Sequence, residues 1–198
     1  MAINLQKGQT INLAKDKYDL STVTIGLGWD VAEGETAYDL DLIAFLLNSE
    51  GKVAHTGDKL VGGDVIFYNS MRHPSGNIYL TGDDRDGSSS DGGDDEQIIA
   101  DLDRLDQKYD KIVIVTAIYK GHENKQSFGR VENAFVRAVD ARGNEMFRYD
   151  LSRDKAFEGK CAMVFGELYR RDGGWKFRAV GMPYDTDRFA EILRQKYL

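Results

Sequence analysis

The sequence predicts a mainly β fold in which several sheets of strands pack together. The apolar runs are short and rich in Val, Ile, Phe and Tyr, the residue types that favour strands. The chain has 21 glycines and only two prolines, so turns built on glycine are expected between those runs. About ten such runs in a chain of this length predict packed sheets.

Each predicted strand is an apolar or β-branched run bounded by turn-forming residues. The predicted strands span residues 10–13, 23–27, 40–47, 65–68, 78–81, 112–119, 131–139, 145–151, 162–169 and 175–180. Glycine-bearing turns at residues 141–144 and 171–174 lie between or beside the last runs. We therefore expect the last three strands to form an antiparallel meander.

Helical periodicity is convincing only near the C-terminus. There, apolar residues recur about every 3.6 positions behind Asp187, a candidate N-cap, at Phe189, Ile192, Leu193 and Tyr197. This spacing predicts a C-terminal amphipathic helix. Residues 98–105 fit a helix and a strand about equally well, so periodicity leaves that segment open.

Length and composition predict one folded domain covering residues 1–198. The chain is 41% hydrophobic and 11% aromatic, which is enough for a sizeable core and excludes the disordered and fibrous classes. Its formal net charge of -7 repels a phosphate backbone, so nucleic acid is not expected as a partner.

Cys161 is the only cysteine, which excludes an intrachain disulfide and a thiolate zinc cage. The first ten residues, MAINLQKGQT, lack the apolar stretch of a signal peptide. The longest apolar run, residues 112–119, is far too short for a bilayer. We expect a cytoplasmic protein without stable membrane insertion.

An acidic segment, residues 83–96, contains six Asp, one Glu and one Arg, for a local charge of -6. Such runs are often solvated linkers. This one lies between strand-like runs, and Asp39, Asp41 and Asn69 occur at strand edges elsewhere. If a folded loop brings these groups together, they would form a metal site.

A hard cation would relieve the mutual repulsion of so many carboxylates. Calcium takes six to eight oxygen ligands, whereas magnesium keeps more of its waters. The three histidines, His55, His73 and His122, are scattered and are interpreted as ordinary surface or turn residues. The segment does not match an EF-hand, so a calcium site would be assembled from separate loops.

The motif at residues 39–41, DLD, places two carboxylates two positions apart. On a strand this spacing puts Asp39 and Asp41 on one side, where they can share a cation. The same pattern occurs by chance on solvated strands and in metal-dependent glycosyl and phosphoryl transferases.

Several ordered motifs resemble the TerD family of bacterial tellurium-resistance and general-stress proteins. They are GLGWD (26–30), DLD (39–41), FYN (67–69), GDD (82–84), GDDE (93–96), RYDL (148–151), FGELYRR (165–171) and WKFRAVG (175–181). The resemblance covers essentially the whole chain. It implies a two-sheet antiparallel β-sandwich with a few short helices, two bound calcium ions near one edge and no established catalytic activity.

Carried over by position, the resemblance implies a set of calcium ligands, with Asp30 as a further candidate. They are Asp39, Asp41, Asn69, Asp83, Asp84, Asp94, Asp95 and Glu96. The family usually has GDN followed by a threonine-glycine pair, where this chain has Asp84 and Asp86. The tail also departs from the family after residue 181, because a helix replaces the usual glycine-rich segment.

Two functions follow as hypotheses. The first is a non-enzymatic calcium-binding protein whose ion-ordered loops contact other stress-response proteins. The second is an enzyme that uses Asp39, Asp41 and the acidic segment for metal-dependent phosphoryl or glycosyl transfer. The sequence contains no GxSxG, GxxxxGK[ST] or HExxH motif, which favours the first hypothesis.

Overall fold

The computed structural model describes residues 3–30, 37–82, 93–150 and 155–198. Over these ranges the chain forms two sheets of six strands, which confirms the mainly β prediction. The first sheet contains, in spatial order, β1 (Ile3–Asn4), β10 (Glu145–Asp150), β9 (Glu132–Val139), β3 (Val23–Asp30), β7 (Glu96–Ala100) and β6 (Ile78–Leu80). Its pairings are antiparallel except for the parallel pair of β1 and β10.

The second sheet is antiparallel throughout its described pairings. It contains β2 (Thr10–Leu13), β12 (Gly174–Tyr184), β11 (Ala162–Arg171), β8 (Lys111–Ile118), β4 (Leu40–Leu47) and β5 (Val65–Ile66). The two sheets face each other as a β-sandwich, as the family resemblance implies.

The predicted meander of the last three strands is wrong in part. Strands β11 and β12 form a hairpin, but β10 pairs with β9 and β1 in the opposite sheet. Phe147 of β10 instead packs across the core against Phe177 of β12, with ring centroids 3.9 Å apart and planes 19° apart. Both rings are fully buried, and their stacking joins the two facing sheets.

The main core lies between the sheets and takes alternate residues from strands such as β3, β4 and β9. Leu40, Leu42, Ala44 and Leu46 of β4 face this core. The intervening Ile43, Phe45 and Leu47 face a second apolar layer on the outside of the second sheet. Strand β4 is therefore buried along its whole length, which explains its nearly continuous apolar sequence.

The C-terminal helical segment covers that outer face. It consists of α1 (Phe189–Ile192) and a π-helical turn at Leu193–Tyr197, and the ring of Tyr197 lies 5.6 Å from that of Phe45. The predicted amphipathic helix is thus confirmed. Asp187 is not its N-cap, because Arg188 holds that position and the Asp187 carboxylate instead accepts a hydrogen bond from the His122 N–H at 3.2 Å.

Residues 98–105, left open by periodicity, form the end of β7 followed by a turn. The predicted strand at 65–68 is shortened to Val65–Ile66, because Phe67 and Ser70 exchange backbone hydrogen bonds that close a turn. Short 3-10 helices occur at Phe128–Arg130 and Lys155–Phe157. Within the described ranges, no helix combines the length and apolar character needed to cross a membrane.

Candidate functional site

Two of the predicted ligand segments lie at the same edge of the sandwich. Strand β7 begins at Glu96, the last residue of the acidic segment, and pairs with β3 in antiparallel orientation from Leu27 back to Val23. Strand β4 begins at Leu40, inside the DLD motif. We call residues 39–41 and 94–96 the acidic edge.

Glu96 joins the two sheets at the acidic edge. Its side chain is buried, and Oε2 accepts a hydrogen bond from the backbone N–H of Leu42 at 2.6 Å. Leu42 follows Asp41 directly on β4, a strand of the opposite sheet. This contact therefore holds the end of the acidic segment beside the DLD motif.

Asp95 fixes the end of β3 through two hydrogen bonds. Its Oδ2 accepts from the backbone N–H of Trp29 at 2.9 Å, and its own N–H donates to the Leu27 carbonyl at 2.8 Å. The indole of Trp29 is buried and donates to the carbonyl of Tyr38 at 3.0 Å, just before the DLD motif. The GLGWD motif thus positions both halves of the acidic edge.

Asp94 already has a protein counterion. Arg137 Nε donates to its Oδ1 at 2.7 Å, and Gln97 Nε2 donates to its Oδ2 at 3.2 Å. The hydrogen bond to Asp94 raises the pKa of the Arg137 guanidinium above its usual value. Both oxygens of this carboxylate are committed to side-chain donors, so Asp94 is less suited to a metal than its neighbours.

Asp41 and Asp39 differ in burial and in their position relative to β4. Asp41 is buried, and its position on β4 alternates with Leu40 and Leu42, so it belongs to the outer face of the second sheet. Asp39 is half-buried just before β4, and its carbonyl accepts a hydrogen bond from the N–H of Tyr119 at 2.8 Å.

The remaining predicted ligands are exposed or lie outside the described residues. Asp30 is exposed at the end of β3, where Oδ2 accepts from Asn133 Nδ2 at 2.6 Å. Asn69 is exposed in the turn after Phe67. Asp83 and Asp84 fall within residues 83–92, outside the described residues.

The chemistry of the acidic edge fits a hard cation. Its side-chain donors are carboxylate oxygens, which suit calcium or magnesium rather than zinc or copper. In residues 3–30, 37–82, 93–150 and 155–198, no three His, Cys, Asp or Glu side chains group closely enough to hold an ion by themselves. Asp39, Asp41, Asp95 and Glu96 are the described residues that would contribute to such a site.

Two features of the structure were not predicted from the sequence. Arg137 was missed as the counterion of Asp94; its one signal is a charged residue inside the apolar strand β9. His73 begins a turn, as its carbonyl accepts a hydrogen bond from the Gly76 N–H at 2.9 Å, but its interpretation as a surface residue is wrong, since it is only 5% exposed. Its Nε2 lies 3.2 Å from Oδ1 of buried Asp64, which also accepts a hydrogen bond from the Tyr109 hydroxyl at 2.6 Å.

Comparison with known proteins agrees with this architecture. Tellurium resistance protein TerX of Serratia marcescens is 52% identical, covering 98% of this chain and 99% of the relative. General stress protein 16U of Bacillus subtilis (strain 168) is 41% identical, covering 93% of this chain and 92% of the relative. The crystal structure of a TerD homologue from Streptomyces coelicolor A3(2) superposes with a TM-score of 0.66 at 22% identity, over 86% of this chain and 94% of that one, and shows the shared fold. The TerD domain model matches residues 1–196, and the chain therefore belongs to the TerD family.

Proposed function

We propose that this chain is a calcium-binding stress-response protein without catalytic activity. In this proposal two calcium ions hold the acidic edge in shape for contact with other stress-response proteins in the cytoplasm. The observation that carries it is the hydrogen bond between Glu96 and the Leu42 N–H, which joins the acidic segment to the DLD motif across the two sheets.

Electrostatics supports a cation at this position. Asp41 and Glu96 are only 6% and 2% exposed, and burial disfavours the charged form of a carboxylate. At Asp94 the chain supplies Arg137 as the compensating charge. Asp41, Asp95 and Glu96 offer carboxylate oxygens, the ligands that calcium prefers.

The cellular role in the proposal is carried over from the names of the relatives. The similar proteins of Serratia and Bacillus are named for tellurium resistance and general stress, and those names describe no enzymatic reaction. Tellurite is an anion that the acidic edge would repel, and Cys161 has no second thiol for a two-electron reduction. Protection against tellurite would then be indirect.

Calorimetric titration with calcium tests the proposal directly. We expect about two ions per chain, as the family resemblance implies, and a higher melting temperature in calcium than in chelator. At a hundredfold excess of free calcium over Kd, one site stabilises the folded state by about 2.7 kcal/mol. Asp41→Asn should weaken binding, whereas Glu50→Gln, at an exposed carboxylate beyond the far end of β4, should not.

Two results would contradict the proposal. One is the absence of both binding heat and any change in melting temperature on addition of calcium. The other is turnover of phosphorylated or glycosylated substrates by the wild-type protein with magnesium or manganese, lost in Asp41→Asn. That second result would establish the enzymatic hypothesis instead.

A further inference from the structure

A groove of about 810 Å³ lies on the outer face of the second sheet. One wall is the turn that follows β8, including Tyr119. The other wall is formed by residues 185–191, which lead into and include the start of α1, and Asp41 and Tyr68 also line the groove. Its volume lies in the range of protein ligand sites.

The charges around this groove are unbalanced. Five carboxylates line it, against the two cations of Lys120 and Arg188; the carboxylates are Asp41, Glu123, Asp185, Asp187 and Glu191. The side chain of Asp185 is 72% exposed, and its carboxylate oxygens lie 3.5 Å from His122 Nε2 and 3.9 Å from Lys160 Nζ. Glu123 is also exposed. The groove therefore attracts positive charge.

The groove also presents an aromatic surface that suits a cation. Tyr68 and Tyr119 form an edge-to-face pair with centroids 6.2 Å apart, and Tyr119 is 43% exposed. The ammonium of Lys120 lies 5.7 Å from the centre of the Tyr119 ring. The ring thus already lies within cation–π distance of a positive group from its own chain.

We propose that this groove binds a basic segment of a partner protein, with an arginine or lysine side chain against Tyr119 and near the carboxylates of Glu123 and Asp185. The charge excess attracts the segment, and the aromatic ring selects a weakly hydrated cation such as guanidinium. This inference goes beyond the calcium proposal. Of the groove residues named here, only Asp41 belongs to the acidic edge.

The test uses a capped eight-residue peptide of alternating glycine and arginine, compared with its glycine-glutamine counterpart. Binding is followed by two-dimensional NMR titration of the full chain in chelator, so that its outcome is independent of the calcium proposal. We expect the arginine peptide alone to bind, with the largest shifts at Tyr68, Tyr119 and Glu123. The affinity should fall as salt is added.

Two pairs of substitutions distinguish binding in the groove from a general effect of the protein's net charge. Glu123→Gln with Asp185→Asn should weaken binding roughly fivefold, the effect of two lost ion pairs at a solvated site. Asp16→Asn with Glu50→Gln removes the same net charge from exposed positions outside the groove and should leave the affinity unchanged. Equal weakening by both pairs, or equal binding of the glutamine peptide, would overturn the proposal.

Substitutions at the aromatic wall give an independent readout. Tyr119→Phe keeps the ring and should retain binding, whereas Tyr119→Leu keeps an apolar side chain without a π face and should lose several-fold in affinity. Lys120→Asn removes the cation that competes for the Tyr119 ring and should strengthen binding. Asparagine tolerates the φ of 52° at this position. If Phe and Leu at position 119 bind the peptide equally, the ring has no role.

Discussion

Gly26 leaves the space that the Asp94 carboxylate occupies. A Cβ atom built on Gly26 would lie 2.1 Å from Cγ of Asp94, well inside any real contact. The carboxylate is held there by Arg137, whose own strand pairs with β3 opposite Gly26. One absent side chain in the GLGWD motif thus permits an ion pair that fixes the start of the acidic edge.

We predict that Gly26→Ala destabilises the protein by about 1–3 kcal/mol, the usual cost of overpacking. The added methyl group must displace either the Asp94 carboxylate or the backbone of β3. Urea denaturation followed by circular dichroism measures the change. Gly174→Ala is the matched control, because a Cβ there meets nothing within 4 Å. Equal stability of the two variants would show that Asp94 moves aside without cost.

His73 shows why single polar residues are hard to place from sequence. It is buried with Asp64 and Tyr109, yet these residues are separated by nine and 36 positions and form no local motif. The Ser75 N–H donates to His73 Nδ1, so the imidazole uses Nε2 to contact Asp64. Burial and the hydrogen bond to Asp64 raise the pKa of the Tyr109 hydroxyl. Only the meeting of the segments that precede β5, β6 and β8 reveals this network.

At the scale of single elements, the turn between β9 and β10 is organised by Asp140. Its carboxylate accepts hydrogen bonds from the backbone N–H groups of Arg142 and Asn144 within the turn, and from that of Asp19 in another segment. Burial raises the pKa of this carboxyl, but the hydrogen bonds outweigh burial and lower it to about 2. The charged form therefore stabilises the turn.

This depressed pKa makes a pH-dependent prediction. The stabilisation by Asp140 is complete above the unfolded-state pKa of about 3.9 and is lost as the pH falls toward 2. Asp140→Asn should therefore be less stable than wild type at pH 6, with the difference shrinking below about pH 4. Chemical denaturation at several pH values measures it. A difference that stays constant from pH 6 to pH 2.5 would mean that the ionised form is not what stabilises the turn.

Strand β4 and the C-terminal helix illustrate what periodicity can predict. The run LDLIAFLL at residues 40–47 predicted the bounds of β4 correctly, and the apolar spacing near the C-terminus predicted a helix. The covering of β4 by that helix was not predicted, because periodicity describes one element at a time. Contact of Phe45 with Phe189 and Tyr197 needs segments about 150 residues apart to meet.

At the scale of the whole molecule, Glu96 links the two sheets at one edge of the sandwich. Strand β5 pairs with β4 only at Ala44 and Phe45, so Leu42 lies beyond the described β5 pairing. The backbone N–H of Leu42 instead donates to the carboxylate of Glu96, which belongs to the facing sheet. Loss of this acceptor would leave a buried backbone donor unsatisfied.

We predict that Glu96→Ala destabilises the protein by about 2 kcal/mol in chelator, the cost of an unsatisfied buried N–H. Glu96→Gln should cost less, because its amide oxygen can still accept from Leu42. In calcium, both variants should lose part of the ion-dependent stabilisation. Thermal melts under the two conditions measure both effects. If Ala and Gln are equally stable in chelator, the Leu42 hydrogen bond does not stabilise the fold.

The sequence by itself determined the β class, most strand positions, the C-terminal helix, the family and which acidic residues are candidate metal ligands. These follow from local patterns, because the alternation of apolar and polar residues, the turn residues and the motifs each involve residues close together in the sequence. Only the tertiary structure decided that Asp94 pairs with Arg137, that Glu96 bonds to Leu42 and that β10 leaves the predicted meander. Each of these depends on which distant segments share a sheet or face each other across the core, and burial, rather than local preference, selects that arrangement.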